Sequence, residues 1–214
     1  FVAKADLLAA SPAYSDQSGV DWKTAAASAA KVLNHIGGVD GMDPTGWTWY
    51  CNVDDIEKLS PTESPAEILW RGERAKSLSL EEDNFPPTLY GNGRINPTQN
   101  LVDAFPMLNG YPVSHLSGEY DENLPYANRD PRLEAYILYN GCKAGNTNKE
   151  IFTAADGTTN DALNKVVGRS TRTGYYLRKL LRQDISLDPN AKADQYHYTP
   201  RIRYTEIFLA YAEA

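Results

Sequence analysis

No run of about 18 apolar residues occurs in the sequence, so no segment offers itself as a single membrane-crossing helix. The sequence opens without Met, and no basic stretch followed by an apolar core occurs in it. Basic residues are in the minority: 21 Lys and Arg stand against 28 Asp and Glu, a formal charge of -7. That balance argues against nucleic acid or an anionic lipid surface as the main partner, because both reward basic surface. Only two cysteines occur, Cys51 and Cys142, too far apart for a C-x-x-C redox or zinc pattern, and their spacing leaves open whether they pair. His35, His115 and His197 share no metal-ligand spacing. G-x-S-x-G and Walker patterns are missing, and Gly91-Asn92-Gly93 lacks the third glycine of a dinucleotide loop. The expectation is a protein with no catalytic group, no metal and no cofactor, and an uncharged ligand suits its charge best.

What is present is enough apolar material, 42% of 214 residues, to bury a core, which excludes global disorder. The aromatic usage is skewed: 14 Tyr and 4 Trp against 5 Phe. Rings with apolar faces and polar edges suit interfaces as well as cores.

The opening residues Phe1 to Leu8 read as a helix broken at Ser11-Pro12. From Asp21, the spacing of Trp22, Ala26, Ala29, Leu33 and Ile36 predicts a second helix, stopped by Gly37 and Gly38. Together, residues 1–38 form a predicted helical hairpin of the length of one tetratricopeptide-type unit. Residues 39–199 read as a loop-rich region with a short strand near Ala66 to Trp70. Within it, Asn96-Pro97 starts a helix, with Asn96 as cap and Leu101, Val102 and Phe105 as its apolar stripe. Leu133 to Tyr139 and Tyr175 to Leu180 are predicted strands, and 141–173 a polar exposed loop. After Thr199-Pro200, residues 200–214 begin a further helix with Ile202, Leu209 and Ala212 on one face.

Four stretches, in order, give the chain a family likeness: NPTQNLVDAF (Asn96 to Phe105), NRDPR (Asn128 to Arg132) with LYNG (Leu138 to Gly141), TGYYLRK (Thr173 to Lys179), and RIRYTEIFLAYAEA (Arg201 to Ala214). On these it resembles the SusD/RagB family of surface nutrient-binding lipoproteins from Bacteroidetes. Thr205 departs from the pattern, standing where an Ala is usual. The resemblance implies a mainly helical fold with short strands and long loops, in which a tetratricopeptide-type scaffold carries an irregular ligand face. It further implies a non-catalytic glycan- or oligosaccharide-binding subunit that caps a SusC-like TonB-dependent outer-membrane transporter. The full-length protein would be lipid-anchored at the cell surface. The chain then reads as the central to C-terminal part of one such domain, with the N-terminal region absent.

Glycan binding needs flat rings to stack on sugar C–H faces and polar groups for the hydroxyls, and neither fixes a spacing. The candidate rings are Trp47, Trp49 and Tyr50 in the stretch Gly46 to Asn52, with Phe85 and Tyr90 in the loop before Asn96. Core packing is the competing role for each ring. Trp22 and Trp70 are expected in the core. Arg129-Asp130-Pro131-Arg132 is expected to lock a turn through charge-assisted hydrogen bonds, not to bind a ligand. Two other functions compete: a glycoside hydrolase using an unfamiliar carboxylate pair such as Glu206 and Glu213, and a helical scaffold that only docks proteins.

Overall fold

The computed structural model describes residues 1–51 and 53–214, and of Asp54 the backbone alone. The helices are α1 (Val2–Ala10), α2 (Ser15–Ser18), α3 (Trp22–Leu33), α4 (Val53–Ile56), α5 (Ser79–Asn84), α6 (Gln99–Ala104), α7 (Pro131–Tyr136) and α8 (Tyr204–Glu213). The strands are β1 (Ile68–Ser77), β2 (Ile137–Leu138), β3 (Lys143–Ala144), β4 (Lys149–Glu150), β5 (Tyr176–Leu177) and β6 (Gln195–Arg203), paired as β1–β6, β2–β5 and β3–β4. Long loops and single 3-10 turns connect them. The chain forms two compact units, Phe1–Arg74 with Tyr198–Ala214, and Ala75–His197.

In the first unit, α3 begins where the Asp21 carboxylate accepts the Thr24 amide at 2.8 Å and the Thr24 hydroxyl at 2.6 Å. It yields to a 3-10 turn at Asn34 and stops at Gly37, whose φ of +88° is a conformation glycine adopts at little cost. Its buried face is Ala25, Ala29 and Leu33, one step round from the predicted stripe, and Trp22 is exposed. The reason is steric: α3 packs against both α1 and α8, and an indole on that face would hold them off where alanine lets them close. Ala3, Ala29, Leu33, Ile202 and Ile207 make the resulting core.

The helix predicted over 200–214 starts later than expected, at Tyr204. Residues 195–203 are strand β6, and Ile202 packs from the strand. Pro200 disfavours helix at Thr199, and the helix waits for a partner for its first amides. That partner is Glu67, almost fully buried. Its Oε1 accepts from the Arg203 guanidinium at 3.0 Å, the Thr205 amide at 3.2 Å and the Thr205 hydroxyl at 2.6 Å. The unusual Thr205 therefore has a structural role. Strand β1 is ten residues long, longer than expected, and places Trp70 outward, half-exposed and edge-on to Phe1 at 5.2 Å, so Trp70 is not core either.

In the second unit, α6 is capped by Thr98, whose hydroxyl accepts the Leu101 amide at 3.3 Å, and not by Asn96. Asn96 instead ties loops: its amide donates to Gly93 O at 2.9 Å, and its Oδ1 accepts the Arg172 amide at 3.1 Å. Val102 is buried while Leu101 faces outward. The far end of α6 is closed by Arg129, buried, which donates to Val102 O at 2.7 Å, Phe105 O at 2.8 Å and Pro125 O at 2.8 Å. Beside it Asp130 caps α7 and holds Arg132 at 2.6 Å, and this hydrogen-bonded guanidinium keeps the Asp130 carboxyl below the usual carboxylate range. The Arg-Asp cluster is thus a structural clasp. It also corrects the strand expected over 133–139: with Asp130 as cap and Pro131 at the first helical position, the chain runs helically to Tyr136, and only Ile137–Leu138 remain extended. They pair antiparallel with Tyr176 and Leu177, all that forms of the second predicted strand. The segment expected to be an exposed loop contains the antiparallel β3–β4 hairpin and contributes Ala144, Ile151, Asp161 and Thr171 to the interior. Cys51 and Cys142 remain thiols, and burial pushes the Cys142 thiol up to about 11.

Candidate glycan-binding surface

Of the rings of the first unit, Trp47 lies in a 3-10 turn, Gly46–Thr48, and Trp49 and Tyr50 directly follow it. Asp43 forms the preceding turn by accepting the Thr45 amide at 2.8 Å, and Arg203 donates to Gly46 O at 3.3 Å. A Cβ at Gly46 would lie 2.6 Å from the buried Glu67 Oε2, so a larger residue there would displace the Glu67 carboxylate. The turn is fixed, but it points most of its aromatic area inward. Trp49 and Tyr50 are only 4% and 5% exposed and pack edge to face at 5.8 Å. Rings so covered present no face to a sugar in this chain. Trp47 is partly exposed. Asn52, which ends this aromatic stretch, lies outside the described residues.

Phe85 and Tyr90, in the second unit, have opposite fates on one tight loop. Phe85 is 1% exposed, within the cluster that includes Leu138, Ile151 and Tyr176, and serves as the anchor. Tyr90 is 46% exposed and left-handed, with φ +65°. A bulky residue in that region is strained, which needs surrounding structure to impose it. Here the surroundings do. The amides of Tyr90, Gly91 and Gly93 donate to Pro87 O, Pro86 O and Phe85 O, and Arg169 donates to Gly91 O at 2.8 Å. Gly91 has no room for a side chain, because a Cβ would lie 2.1 Å from Phe85 O.

Beneath the loop, the Thr88 amide donates to Asp161 Oδ1 at 2.8 Å. Asp161 is fully buried, and among the described residues no hydrogen-bond partner meets its Oδ2. Burial raises the Asp161 carboxyl above its ordinary 3.8, against the opposing hydrogen bond from Thr88. The sign of the consequence follows from linkage. The folded chain keeps this proton at pH values where the unfolded chain has lost it. The group's contribution is therefore most favourable below 3.8 and declines as pH rises through its elevated folded value. Asp161→Asn should flatten that decline, and melting curves at pH near 4 and near 8 should show the variant gaining on the parent at the higher pH.

Phe85 and Tyr90 line one cleft of about 140 Å³, with Asn146, Thr147 and Lys149 from the β3–β4 hairpin and Ser186 and Asp188 from the segment before β6. The Lys149 ammonium stands 5.5 Å from the Tyr90 ring centre and 3.5 Å from Thr88 O. These polar residues escaped the sequence reading because they come from segments far apart in the chain. The Gly145-Asn146 turn signal was their one visible trace. A larger groove, about 610 Å³, runs between α1 and α8 in the first unit, but it is lined by Lys4, Leu7, Leu8, Leu209 and neighbours without a single aromatic ring. It has the character of a helix-packing surface. The structure gathers Trp47, Trp49 and Tyr50 in one unit and Phe85 and Tyr90 in the other.

Among the described residues no helix is long and apolar enough to cross a membrane, and no group of three or more His, Cys, Asp or Glu is placed to hold a metal ion.

The chain is similar in fold to two crystal structures from Bacteroides fragilis. One is a SusD-like carbohydrate-binding protein, with a TM-score of 0.64 and 22% identity, covering 90% of this chain and 36% of that one. The other is a SusD-like protein, with a TM-score of 0.62 and 24% identity, covering 90% of this chain and 39% of that one. The chain thus spans little more than a third of the length of these relatives. No curated protein matches it. The model of the SusD family, SusD/RagB, matches residues 69–214, which takes in all four sequence motifs, the Arg129 clasp and the Tyr90 loop, and the chain belongs to that family.

Proposed function

We propose that the full-length protein is a non-catalytic glycan-binding subunit of a nutrient-uptake system. It would be lipid-anchored on the outer face of the outer membrane and work with a SusC-like TonB-dependent transporter. The observation that carries this is an exposed tyrosine held on a strained, clamped loop beside a cleft of mixed apolar and polar lining, in a chain of the SusD family. In this reading α1 and α3 (residues 1–38) form a tetratricopeptide-type hairpin, 200–214 opens a further unit, and 39–199 supplies the ligand face. Of the five candidate rings, Tyr90 and Trp47 are the ones open enough to stack on sugar, while Trp49, Tyr50 and Phe85 hold the loops in shape. The net charge of -7 favours a neutral glycan over an acidic one.

Two facts support a binding role without turnover. Glu206 is engaged by Lys4 at 2.5 Å, and Glu213 lies seven residues further along α8, roughly 10 Å of helix rise away, beyond the span of a retaining carboxylate pair. Glycan-array screening followed by calorimetry on the full-length protein should find at least one soluble oligosaccharide that binds, with no new reducing ends after prolonged incubation. Silence across the array, or steady release of reducing ends abolished by one Asp or Glu substitution, would overturn the proposal.

A further inference from the structure

Glu67, the residue before β1, is almost fully buried, and its carboxylate is shared between a helix and an aromatic turn of the same unit. On the helix side, Glu67 O and Oε1 accept the first two amides of α8, those of Tyr204 and Thr205, at 3.0 and 3.2 Å, and Oε1 also accepts the Thr205 hydroxyl at 2.6 Å. A negative charge suits that end of a helix. On the turn side, Oε1 accepts Arg203 Nε at 3.0 Å, and Nη2 of the same guanidinium donates to Gly46 O at 3.3 Å. Gly46 O also accepts the Trp49 amide at 3.4 Å, so Arg203 braces the carbonyl on which the turn holding Trp47 closes. A planar guanidinium serves both acceptors at once from two nitrogens, which a single ammonium cannot do. The second carboxylate oxygen, Oε2, has no hydrogen-bond partner among the described residues and packs against Gly46, where an added Cβ would meet it at 2.6 Å. A buried oxygen without a donor is unfavourable, and the three donors on Oε1 keep it there.

We infer that Glu67 and Arg203 are positioning residues for sugar binding at Trp47. The carboxylate orients the guanidinium, and the guanidinium fixes the carbonyl that sets how the Gly46–Thr48 turn presents its indole. The inference rests on the glycan-binding reading above, with Trp47 as one of its rings, and adds two residues that act on the ligand without touching it. Thr205 lies off this route: its bonds to Glu67 serve the start of α8, and the path from Glu67 through Arg203 to Gly46 does not pass through it.

Calorimetry on the full-length protein, with gluco-, xylo-, manno- and galacto-hexaoses as probes, would compare the parent with Glu67→Gln, Arg203→Lys and Thr205→Ala, each also in a Trp47→Ala background. Glu67→Gln keeps an acceptor for Thr205 and loses the charge that orients Arg203. Arg203→Lys keeps a cation beside Glu67 and gives up the second nitrogen, the one that reaches Gly46 O. Both are expected to weaken binding of the tightest hexaose about fivefold, and neither to weaken it further once Trp47 is alanine. Thr205→Ala should lower the melting temperature by a few degrees and leave affinity within about twofold. Affinity retained within about twofold in both Glu67→Gln and Arg203→Lys, or an equal loss with and without the indole, would overturn positioning through the turn and leave glycan binding standing. A Trp47→Ala protein that binds as the parent does would overturn it too, because the ring would then make no contact. Should no hexaose bind the parent, the glycan-binding reading falls and this inference with it.

Discussion

Arg129→Ala is expected to lower the stability of the chain by about 3 kcal/mol, or roughly 10 °C in melting temperature for a protein of this size. One buried guanidinium closes the last turn of α6 through Val102 O and Phe105 O and gathers Pro125 O from the loop before α7. Those carbonyls lie at the negative end of a helix dipole, where a cation is favoured, and hydrogen bonds to a charged donor are the stronger kind. Truncation removes the cation and leaves the carbonyls at a closed end that water enters poorly. Lysine should rescue little, since one ammonium cannot reproduce a planar fork that serves three acceptors. Thermal melts of Arg129→Ala and Arg129→Lys would check this, and near-parental melting in both would show that the clasp is dispensable.

Gly91→Ala should be the more damaging change for binding. The added Cβ would stand 2.1 Å from Phe85 O and 2.6 Å from Phe85 C, both backbone atoms that no side-chain rotation can move. The loop must open to make room, at a cost of about 3 kcal/mol, and opening releases Tyr90 from its left-handed setting. Tyr90→Gly, by contrast, relieves the same backbone strain while deleting the ring. Stability and ligand affinity should therefore both fall in Gly91→Ala. In Tyr90→Gly affinity falls while stability holds or rises. Melting curves and calorimetry on the two variants separate loop shape from ring chemistry.

Helices with strong local signals were legible from sequence. Asp21, the alanine run and Gly37 place α3 because capping, propensity and stop all agree there. The face it buries was less so: one residue of rotation separates Ala25 from Ala26, and only contact with α1 and α8 decides between them. Short apolar runs gave the errors. Residues 133–139 look like a strand until Asp130-Pro131 is weighed as a helix start, and 200–203 look like the first turn of a helix until Glu67, more than 130 residues away, fixes where the amides of α8 find a partner. The candidate rings stand out in the sequence as tyrosines and tryptophans on irregular stretches, but which of them the fold leaves exposed does not. Whether a ring on a loop faces in or out depends on loop anchors such as Glu67 for Gly46 and Asp161 for Thr88, and no periodicity encodes those. NPTQNLVDAF illustrates the division of labour. Thr98 caps, Asn96 ties two loops, and Gln99 accepts the Tyr175 hydroxyl at 2.8 Å, so its polar residues serve the fold.

The most direct test of the central claim is a crystal structure of the full-length protein soaked with its tightest-binding oligosaccharide. We expect density for a sugar ring lying flat against Tyr90 or Trp47, within the roughly 4.5 Å of apolar contact. A sugar held well away from both rings, at a surface they do not border, would contradict it.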